Sequence, residues 1–132
     1  MHITKENIHE FIDDTRMYCS DRNITHIDFI PCYIKYLYCN NSQLTSLPKL
    51  PDSLIDLECN FNNLTELPKL PEGLINLYCY NNNLTELPKL PESLINLNCK
   101  NNNLPYKVTL DNYKEKHNKF IKRKEILSNI CT

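Results

Sequence analysis

The chain has 132 residues, a formal net charge of −1 and a single glycine, Gly73. A charge so close to zero predicts no general attraction to nucleic acid or to a membrane surface, and one glycine is too few for a phosphate-binding loop. No apolar run is long enough for a membrane span or a secretory signal, so we expect a single intracellular domain.

Residues 1–13 are expected to form a helical N-terminal cap. Thr4 can cap a helix whose apolar side would consist of Ile8, Phe11 and Ile12. A stack of repeats requires such an end, because its terminal repeat would otherwise expose an apolar surface to water.

Residues 14–111 are built from five repeats of twenty residues, of which the first (14–33) is eroded and the last is partial. Two apolar positions return in every well-kept unit, and they hold Leu37, Leu57, Leu77 and Leu97, and then Cys39, Cys59, Cys79 and Cys99. A fixed period of this length is typical of a solenoid, in which each repeat buries its apolar side only against its neighbours. We therefore expect function on a surface made by stacking.

The unit 74–93, LINLYCYNNNLTELPKLPES, shows how one repeat is expected to fold. Apolar and polar character alternates through LYCY, which predicts a half-buried strand with Leu77 and Cys79 inward. Stacking identical units brings these strands side by side, which predicts a parallel sheet.

The rest of the unit predicts a turn and an extended return segment. An asparagine follows each strand, and Asn62, Asn82 and Asn102 are expected to form a ladder that hydrogen-bonds buried backbone groups. Pro88 and Pro91 cannot lie within a helix, because they lack an N–H and push the preceding residues to extended angles. The convex side is therefore predicted to be extended and polyproline-like.

The seven cysteines do not indicate a disulfide framework, because four of them fall on the repeat register. Neighbouring strands place such residues about 4.8 Å apart and pointing one way, which suits a disulfide poorly. We interpret this column as small apolar core residues without a metal, since a row of thiols does not converge on one ion. Cys32 and Cys131 lie off the column, and Cys131 is the expected site of adventitious dimerisation.

Residues 112–132 are expected to form a helical C-terminal cap that begins at Asp111. Its buried side would consist of Tyr113, His117, Phe120, Leu127 and Ile130. The stretch 107–124 is strongly basic and could associate with nucleic acid or another anionic partner. A solvated helix face is the simpler interpretation, and we do not expect nucleic-acid binding.

The motif L-P-x-L-P followed by x-x-L-x-x-L, at a period of twenty residues, resembles the short leucine-rich repeats of bacterial type III secreted effectors. The form of the motif with Cys at the third apolar position, and with variable positions rich in Asn and Lys, is similar to leucine-rich repeat proteins of giant DNA viruses that infect amoebae. The resemblance covers 34–104 strongly and 14–33 weakly. It implies a leucine-rich repeat solenoid with a short parallel sheet on its concave face, a protein-binding role and, for a viral protein, residence in the host cytoplasm.

Aromatic residues gather at the outward positions of the predicted strands. The candidate partner-binding residues are Tyr18, Tyr36, Tyr38, Asp56, Glu58, Phe61, Tyr78 and Tyr80. Exposed tyrosines give contact area at low entropic cost and are enriched at interfaces, and Glu58 could receive a Lys or Arg of the partner. The alternative is that strands favour aromatic residues, which then merely stack on each other across repeats.

No residues are expected to form a catalytic, cofactor or metal site. Cys19-Ser-Asp21 resembles the Cys-x-Asp of bacterial effector ligases, but Cys19 lies on the buried register. The histidines show no metal-ligand spacing; they are His2, His9, His26 and His117.

We therefore expect a monomeric, non-enzymatic scaffold that binds a protein partner, from a host if the source is viral. Two alternatives stay open. One is a structural protein that assembles through its ends, and the other is association with an anionic partner through the basic C-terminal helix.

Overall fold

The computed structural model describes residues 1–130, apart from the side chain of Ile130. The predictions made for the Ile130 side chain and for Cys131 therefore fall outside the described part. The repeats coil into a β-solenoid of about five turns, as the twenty-residue period predicts. Among residues 1–130, no helix is long and apolar enough to cross a membrane.

Each repeat contributes a three-residue strand to the main sheet, and three further strands have two residues each. The strands are β1 (His2–Ile3), β2 (Ile12–Asp13), β3 (Arg16–Tyr18), β4 (His26–Ile27), β5 (Tyr36–Tyr38), β6 (Asp56–Glu58), β7 (Asn76–Tyr78) and β8 (Asn96–Asn98). The main sheet has the order β2-β3-β5-β6-β7-β8, and β1 pairs separately with β4. All pairs in the main sheet after β2–β3 are parallel, with partners twenty residues apart. The predicted parallel sheet is confirmed.

The inward residues form continuous columns through the stack. Leu37, Leu57 and Leu77 have no exposed surface, and neither do Cys39 and Cys59 beside them. The cysteine column is buried in the core, as predicted, and the cysteines of the described part are free.

The asparagine ladder is present and bonds to backbone groups of two repeats at once. Asn82 donates its carboxamide N–H groups to the carbonyls of Cys59 and Cys79, at 2.9 and 3.1 Å. Its carboxamide oxygen accepts the N–H of Leu64 at 3.1 Å. Asn62 and Asn102 repeat this arrangement. Each asparagine thereby satisfies backbone groups that a strand partner does not reach.

The return segments contain neither helix nor strand, as the paired prolines predict. A tight turn then leads back to the next strand, and in it the N–H of Leu54 donates to the carbonyl of Pro51 at 3.1 Å. Leu74 and Pro71 form the same turn at 3.2 Å.

The prediction of a helical N-terminal cap was wrong. Only one 3₁₀ turn, Ile8–Phe11, lies between β1 and β2. Both flanking segments run extended because they pair with β4 and β3, and the interval between them is too short for a stable helix. Thr4 does not cap with its side chain; instead its N–H donates to the side-chain oxygen of Asn7 at 2.7 Å.

The C-terminal helix is present but begins later than Asp111. A π-helical turn, Tyr113–His117, leads into α1, Asn118–Ile130. The side-chain oxygen of Asn112 accepts the N–H of Thr109 at 2.9 Å, which closes the loop ahead of the helix.

The buried side of this helix differs from the predicted one. Tyr113, His117 and Ile121 are buried, whereas Phe120 and Leu127 are 42% and 60% exposed. A π-helical turn holds more residues than an α-helical turn, so it rotates every later side chain away from the 3.6-residue pattern. The prediction that Phe120 and Leu127 face the core was therefore wrong.

Candidate protein-binding face

The outward side chains of β3 and β5–β8 form a grid. We call this grid, together with Phe61 and Tyr80 that follow β6 and β7, the strand face. Because the strands pair in register, equivalent residues of successive repeats lie in columns about 4.8 Å apart. The first column holds Arg16, Tyr36, Asp56, Asn76 and Asn96, and the second holds Tyr18, Tyr38, Glu58, Tyr78 and Asn98. The predicted aromatic residues thus lie on one surface, with two acidic residues of β6 among them.

The aromatic residues at the N-terminal end of the strand face are held by contacts within the protein. The rings of Tyr18 and Tyr38 stack at 5.6 Å between centroids, with 24° between their planes. The guanidinium of Arg16 lies 4.9 Å from the centre of the Tyr36 ring. This part of the face follows the alternative interpretation, in which aromatic residues stack across repeats.

Arg16 was not among the predicted binding residues. Its place in the first column follows from the same twenty-residue register that located Tyr36 and Asp56. Arg16 lies outside the best-kept units, and the weak match of the first repeat hid it.

The centre of the strand face is acidic. Glu58 accepts a hydrogen bond at 3.2 Å from the side-chain amide of Asn40 in the preceding repeat. Within the described residues, the Oδ1 atom of Asp56 is buried and has no hydrogen-bond partner. Burial, and then the charge of Glu58, raise the pKa of Asp56 to about 6. Burial and these two carboxylates also raise the pKa of Tyr38.

The turn that follows β6 contains a strained residue of the strand face. Phe61 lies at a φ of 56°, in the left-handed region, and its ring is 49% exposed. The equivalent positions in the other repeats share this backbone conformation and hold Asp21, Asn41, Asn81 and Asn101. Aspartate and asparagine tolerate left-handed angles better than a bulky aromatic residue does. The ring of Phe61 packs edge-on against Tyr80 at 5.3 Å.

A second polar ladder lies beside the aromatic residues and was not predicted. The side-chain oxygen of Asn40 accepts the N–H of Asn60, and that of Asn60 accepts the N–H of Tyr80, each at 2.9 Å. Asn60, which alternation places on the outward flank, is only 5% exposed for this reason. These bonds fix the backbone that carries Phe61 and Tyr80.

The surface of the described residues contains a shallow depression and a wider cleft. A shallow depression of about 410 Å³ on the strand face is bounded by Glu58, Asn60, Phe61 and Tyr80, among others. A wider cleft of about 1140 Å³ lies between the return segments and α1. An ion pair between Lys124 of α1 and Glu86, at 2.7 Å, lies at this cleft.

The residues considered for catalysis are placed unfavourably for it. Burial raises the pKa of the Cys19 thiol to about 12, so this thiol is neutral at physiological pH. His117 is buried and held by two hydrogen bonds. Its Nε2–H donates to the carbonyl of Pro88 at 2.8 Å, and its Nδ1 bonds to the hydroxyl of Tyr106 at 2.9 Å.

The histidines, in contrast, are not as scattered as their sequence spacing suggests. His2 and His26 are register partners in the β1–β4 pair, and both imidazoles lie near Asp28. Sequence spacing does not reveal this grouping, because a pairing between segments 24 residues apart has no signature in local spacing.

No protein-family model matches the chain, and no curated protein matches it. Among solved structures, it is similar to the leucine-rich repeat domain of a Shigella effector, with a TM-score of 0.70 and 32% identity over 74% of this chain and 44% of that one. It is also similar to YopM from Yersinia enterocolitica WA-314, with a TM-score of 0.54 and 29% identity over 73% of this chain and 26% of that one.

The chain therefore spans less than half the length of either neighbour. Both are bacterial, so the resemblance to viral repeat proteins rests on the Cys-containing motif alone. The twenty-residue period, the in-register parallel sheet and these two likenesses agree with one another, and they identify the chain as a leucine-rich repeat protein of the short-repeat kind.

Proposed function

We propose that the chain is a non-enzymatic scaffold that binds a protein partner through the strand face, which is the concave side of a leucine-rich repeat solenoid. The proposed contact residues are Tyr18, Tyr36, Tyr38, Asp56, Glu58, Phe61, Tyr78 and Tyr80. The likeness to the repeat domain of a bacterial effector supports a scaffold role. The unfavourable placement of Cys19 and His117 for chemistry supports a role without catalysis.

One observation carries this proposal: Asp56 is a carboxylate that the fold itself does not need. Its Oδ1 is buried without a hydrogen-bond partner, although the neighbouring column members Asn76 and Asn96 bond to each other through their side chains. An asparagine at position 56 could join that row without a charge. An acidic residue that is costly to the free protein is explained if a partner brings a compensating cation.

Phe61 supports the same proposal. The left-handed backbone costs an aromatic residue of the order of 1–2 kcal/mol, and the contact with Tyr80 recovers about 0.5–1.5 kcal/mol of this. The ring therefore contributes little net stability while presenting half of its surface to solvent. Exposed aromatic side chains of this kind are the usual anchors of protein interfaces.

The chemistry of the partner follows from these residues. Glu58 lies between Tyr38 and Tyr78 on the neighbouring strands, and Asp56 lies beside Tyr36. A lysine or arginine side chain of the partner can pair with the carboxylates and pack its stem or guanidinium on the rings. We propose a partner that presents such a residue within an otherwise apolar patch.

The experiment is a capture from host-cell lysate with the wild-type protein and with the Tyr38/Tyr78/Tyr80→Ala variant, read by mass spectrometry. A matched control replaces Phe29 and Tyr33, which are exposed aromatics outside the strand face. A protein retained by wild type and control but lost from the triple variant supports the proposal. Identical capture by all three proteins contradicts it.

The remaining assignments are part of the proposal. We propose a monomer acting inside a cell, in the host cytoplasm if the source is viral. Nucleic-acid association through the C-terminal helix is the lesser alternative, because Lys124 and Lys119 already pair with Glu86 and Glu115. A molecular mass that rises with protein concentration would instead favour the self-assembly alternative.

A further inference from the structure

Three potential metal ligands converge outside the strand face. The Nε2 atom of His2 lies 2.6 Å from Oδ1 of Asp28, and Nε2 of His26 lies 3.3 Å from the same oxygen. One ligand atom from each residue lies within 4.8 Å of the other two. All three side chains are about half exposed, so an ion in solution can reach them.

The backbone holds these residues together. His2 on β1 and His26 on β4 are direct partners in a parallel pair, and their rings lie 4.4 Å apart. Asp28 comes two residues after His26, so both side chains project from the same face of an extended segment. The N–H of Asp28 donates to the carbonyl of Ile3 at 3.0 Å, which extends the pairing by one residue.

The sequence at this place departs from the repeat in a way that creates the cluster. Position 28 corresponds to Pro48, Pro68 and Pro88 of the later repeats. A proline has no N–H and could not donate to Ile3. Asp28 therefore supplies both the backbone donor that attaches β1 and the carboxylate that faces the two histidines.

We propose that His2, His26 and Asp28 bind a zinc ion as a three-ligand site with an open fourth position. Two imidazole nitrogens and a carboxylate oxygen are a ligand set that zinc accepts in proteins. Bonds of about 2.0–2.1 Å in a tetrahedral arrangement place ligand atoms roughly 3.3 Å apart. The distance between Nε2 of His26 and Oδ1 of Asp28 already has this value, and that between Nε2 of His2 and the same oxygen is shorter by less than 1 Å. The ligand atoms all lie within 4.8 Å of one another, and the exposed side chains can adjust the remaining distances.

The ligand types favour zinc over calcium and magnesium, and they favour this cluster over the cysteine thiols. Calcium and magnesium prefer oxygen ligands throughout, so a site with two imidazoles selects a borderline metal. Burial keeps the thiols of Cys39 and Cys59 protonated by raising their pKa well above the usual value, so they do not compete for zinc. Cys32 is exposed and needs its own control.

Zinc would join the N-terminal strand to the first repeat. Beyond the backbone pairing, the ion would close a loop between residues 2 and 26, and this makes the N-terminal end of the solenoid dependent on metal. The zinc site lies on the separate β1–β4 pair, away from the strand face, so zinc binding does not depend on partner binding.

The test is calorimetric titration of the full chain with zinc chloride, using an affinity tag that contains no histidine. We expect one zinc per chain, with affinity reduced at least about tenfold in the His2→Ala, His26→Ala and Asp28→Asn variants. His9→Ala and Cys32→Ser should bind as wild type, because His9 is an exposed histidine outside the cluster. Asp28→Asn keeps the backbone donor to Ile3 and so separates loss of a ligand from loss of fold.

Cobalt provides an independent readout of the ligand type. Cobalt bound by nitrogen and oxygen should show only d–d absorption, whereas thiolate ligation adds an intense sulfur-to-metal charge-transfer band. The proposal is overturned by such a band, by zinc binding that survives all three cluster variants, or by the absence of zinc binding to the wild-type protein. In that last case the three residues form only a hydrogen-bonded surface cluster.

Discussion

The ring of Phe61 packs edge-on against the ring of Tyr80 at 5.3 Å between centroids, while the backbone of Phe61 lies in the left-handed region at a φ of 56°. The contact and the strain are opposed contributions of similar size. Phe61→Ala and Phe61→Asn separate the two contributions. Both remove the ring contact, but only asparagine also relieves the backbone strain.

We predict that Phe61→Asn is more stable than Phe61→Ala by about 1 kcal/mol, since asparagine tolerates the left-handed region and alanine does not. Phe61→Asn should lie close to the wild type, because relief of strain offsets loss of the ring contact. Urea denaturation of the three proteins measures these differences. Equal stabilities of the asparagine and alanine variants would show that position 61 is not strained.

Asp56→Asn is predicted to stabilise the protein by about 1 kcal/mol at pH 7.5. The pKa of Asp56 is raised from 3.8 to about 6, so its ionised form is disfavoured in the folded state. The full pKa shift would correspond to a larger free energy, but the side chain is only partly buried and solvent screens the effect.

The sign of the pH dependence follows from the raised pKa of Asp56. Its contribution to stability is present below pH 3.8 and is lost as pH rises through about 6. The advantage of Asp56→Asn should therefore vanish when urea denaturation is repeated near pH 4. Asp52→Asn is the matched control, since Asp52 is an exposed aspartate away from the strand face. A pH-independent difference between wild type and Asp56→Asn would contradict this account.

The pH dependence of stability that arises from His117 is predicted to have the opposite sign. Burial lowers its pKa below the usual 6.5, so its contribution to stability is present above pH 6.5 and is lost as pH falls below it. His117→Gln cannot take up this proton and can still donate to the carbonyl of Pro88. The difference in unfolding free energy between wild type and variant should be smaller at pH 5.5 than at pH 7.5. Hydrogen exchange should locate the change in α1 and the turn before it. Parallel pH profiles would refute the assignment.

Gly73→Ser is predicted to stabilise the fold by about 1 kcal/mol. Ser53 and Ser93, at the equivalent positions, each place a hydroxyl 2.6–2.9 Å from two carbonyls that lie about twenty residues earlier in the chain. A Cβ at position 73 meets no atom within 4 Å, so a serine fits there without a clash. The gain comes from reduced conformational freedom of the unfolded chain. Ser93→Gly, the reverse change, also removes hydrogen bonds of the hydroxyl, so it should lose at least as much stability in the same thermal unfolding assay.

The core columns and the asparagine ladder were predicted correctly because they recur with the repeat. Leu57, Cys59 and Asn62 each occupy an environment that recurs every twenty residues, so one repeat specifies the next. Outside the repeats that constraint is missing. The N-terminal segment follows strand pairing to β3 and β4 instead of its helical pattern, and a π-helical turn rotates α1.

The strand face could be predicted in outline only. Alternation places Tyr38 and Tyr78 outward, but the burial of Asp56 depends on the side chains of adjacent strands, which alternation does not describe. The strain at Phe61 was accessible in principle, because the equivalent positions carry aspartate or asparagine, such as Asn41 and Asn81. The His2–His26 pairing was not accessible, since it depends on how β1 attaches.

The central claim is that the strand face gives up folding stability for partner binding, and Asp56→Asn tests it most directly. The measurement is the dissociation constant of this variant for the captured partner, beside its unfolding free energy, with Gly73→Ser as a stabilised control remote from the acidic residues. We predict that Asp56→Asn is more stable than the wild type and binds at least about tenfold more weakly, as expected when a charge pair is lost. A variant that is more stable and binds the partner unchanged would contradict the account.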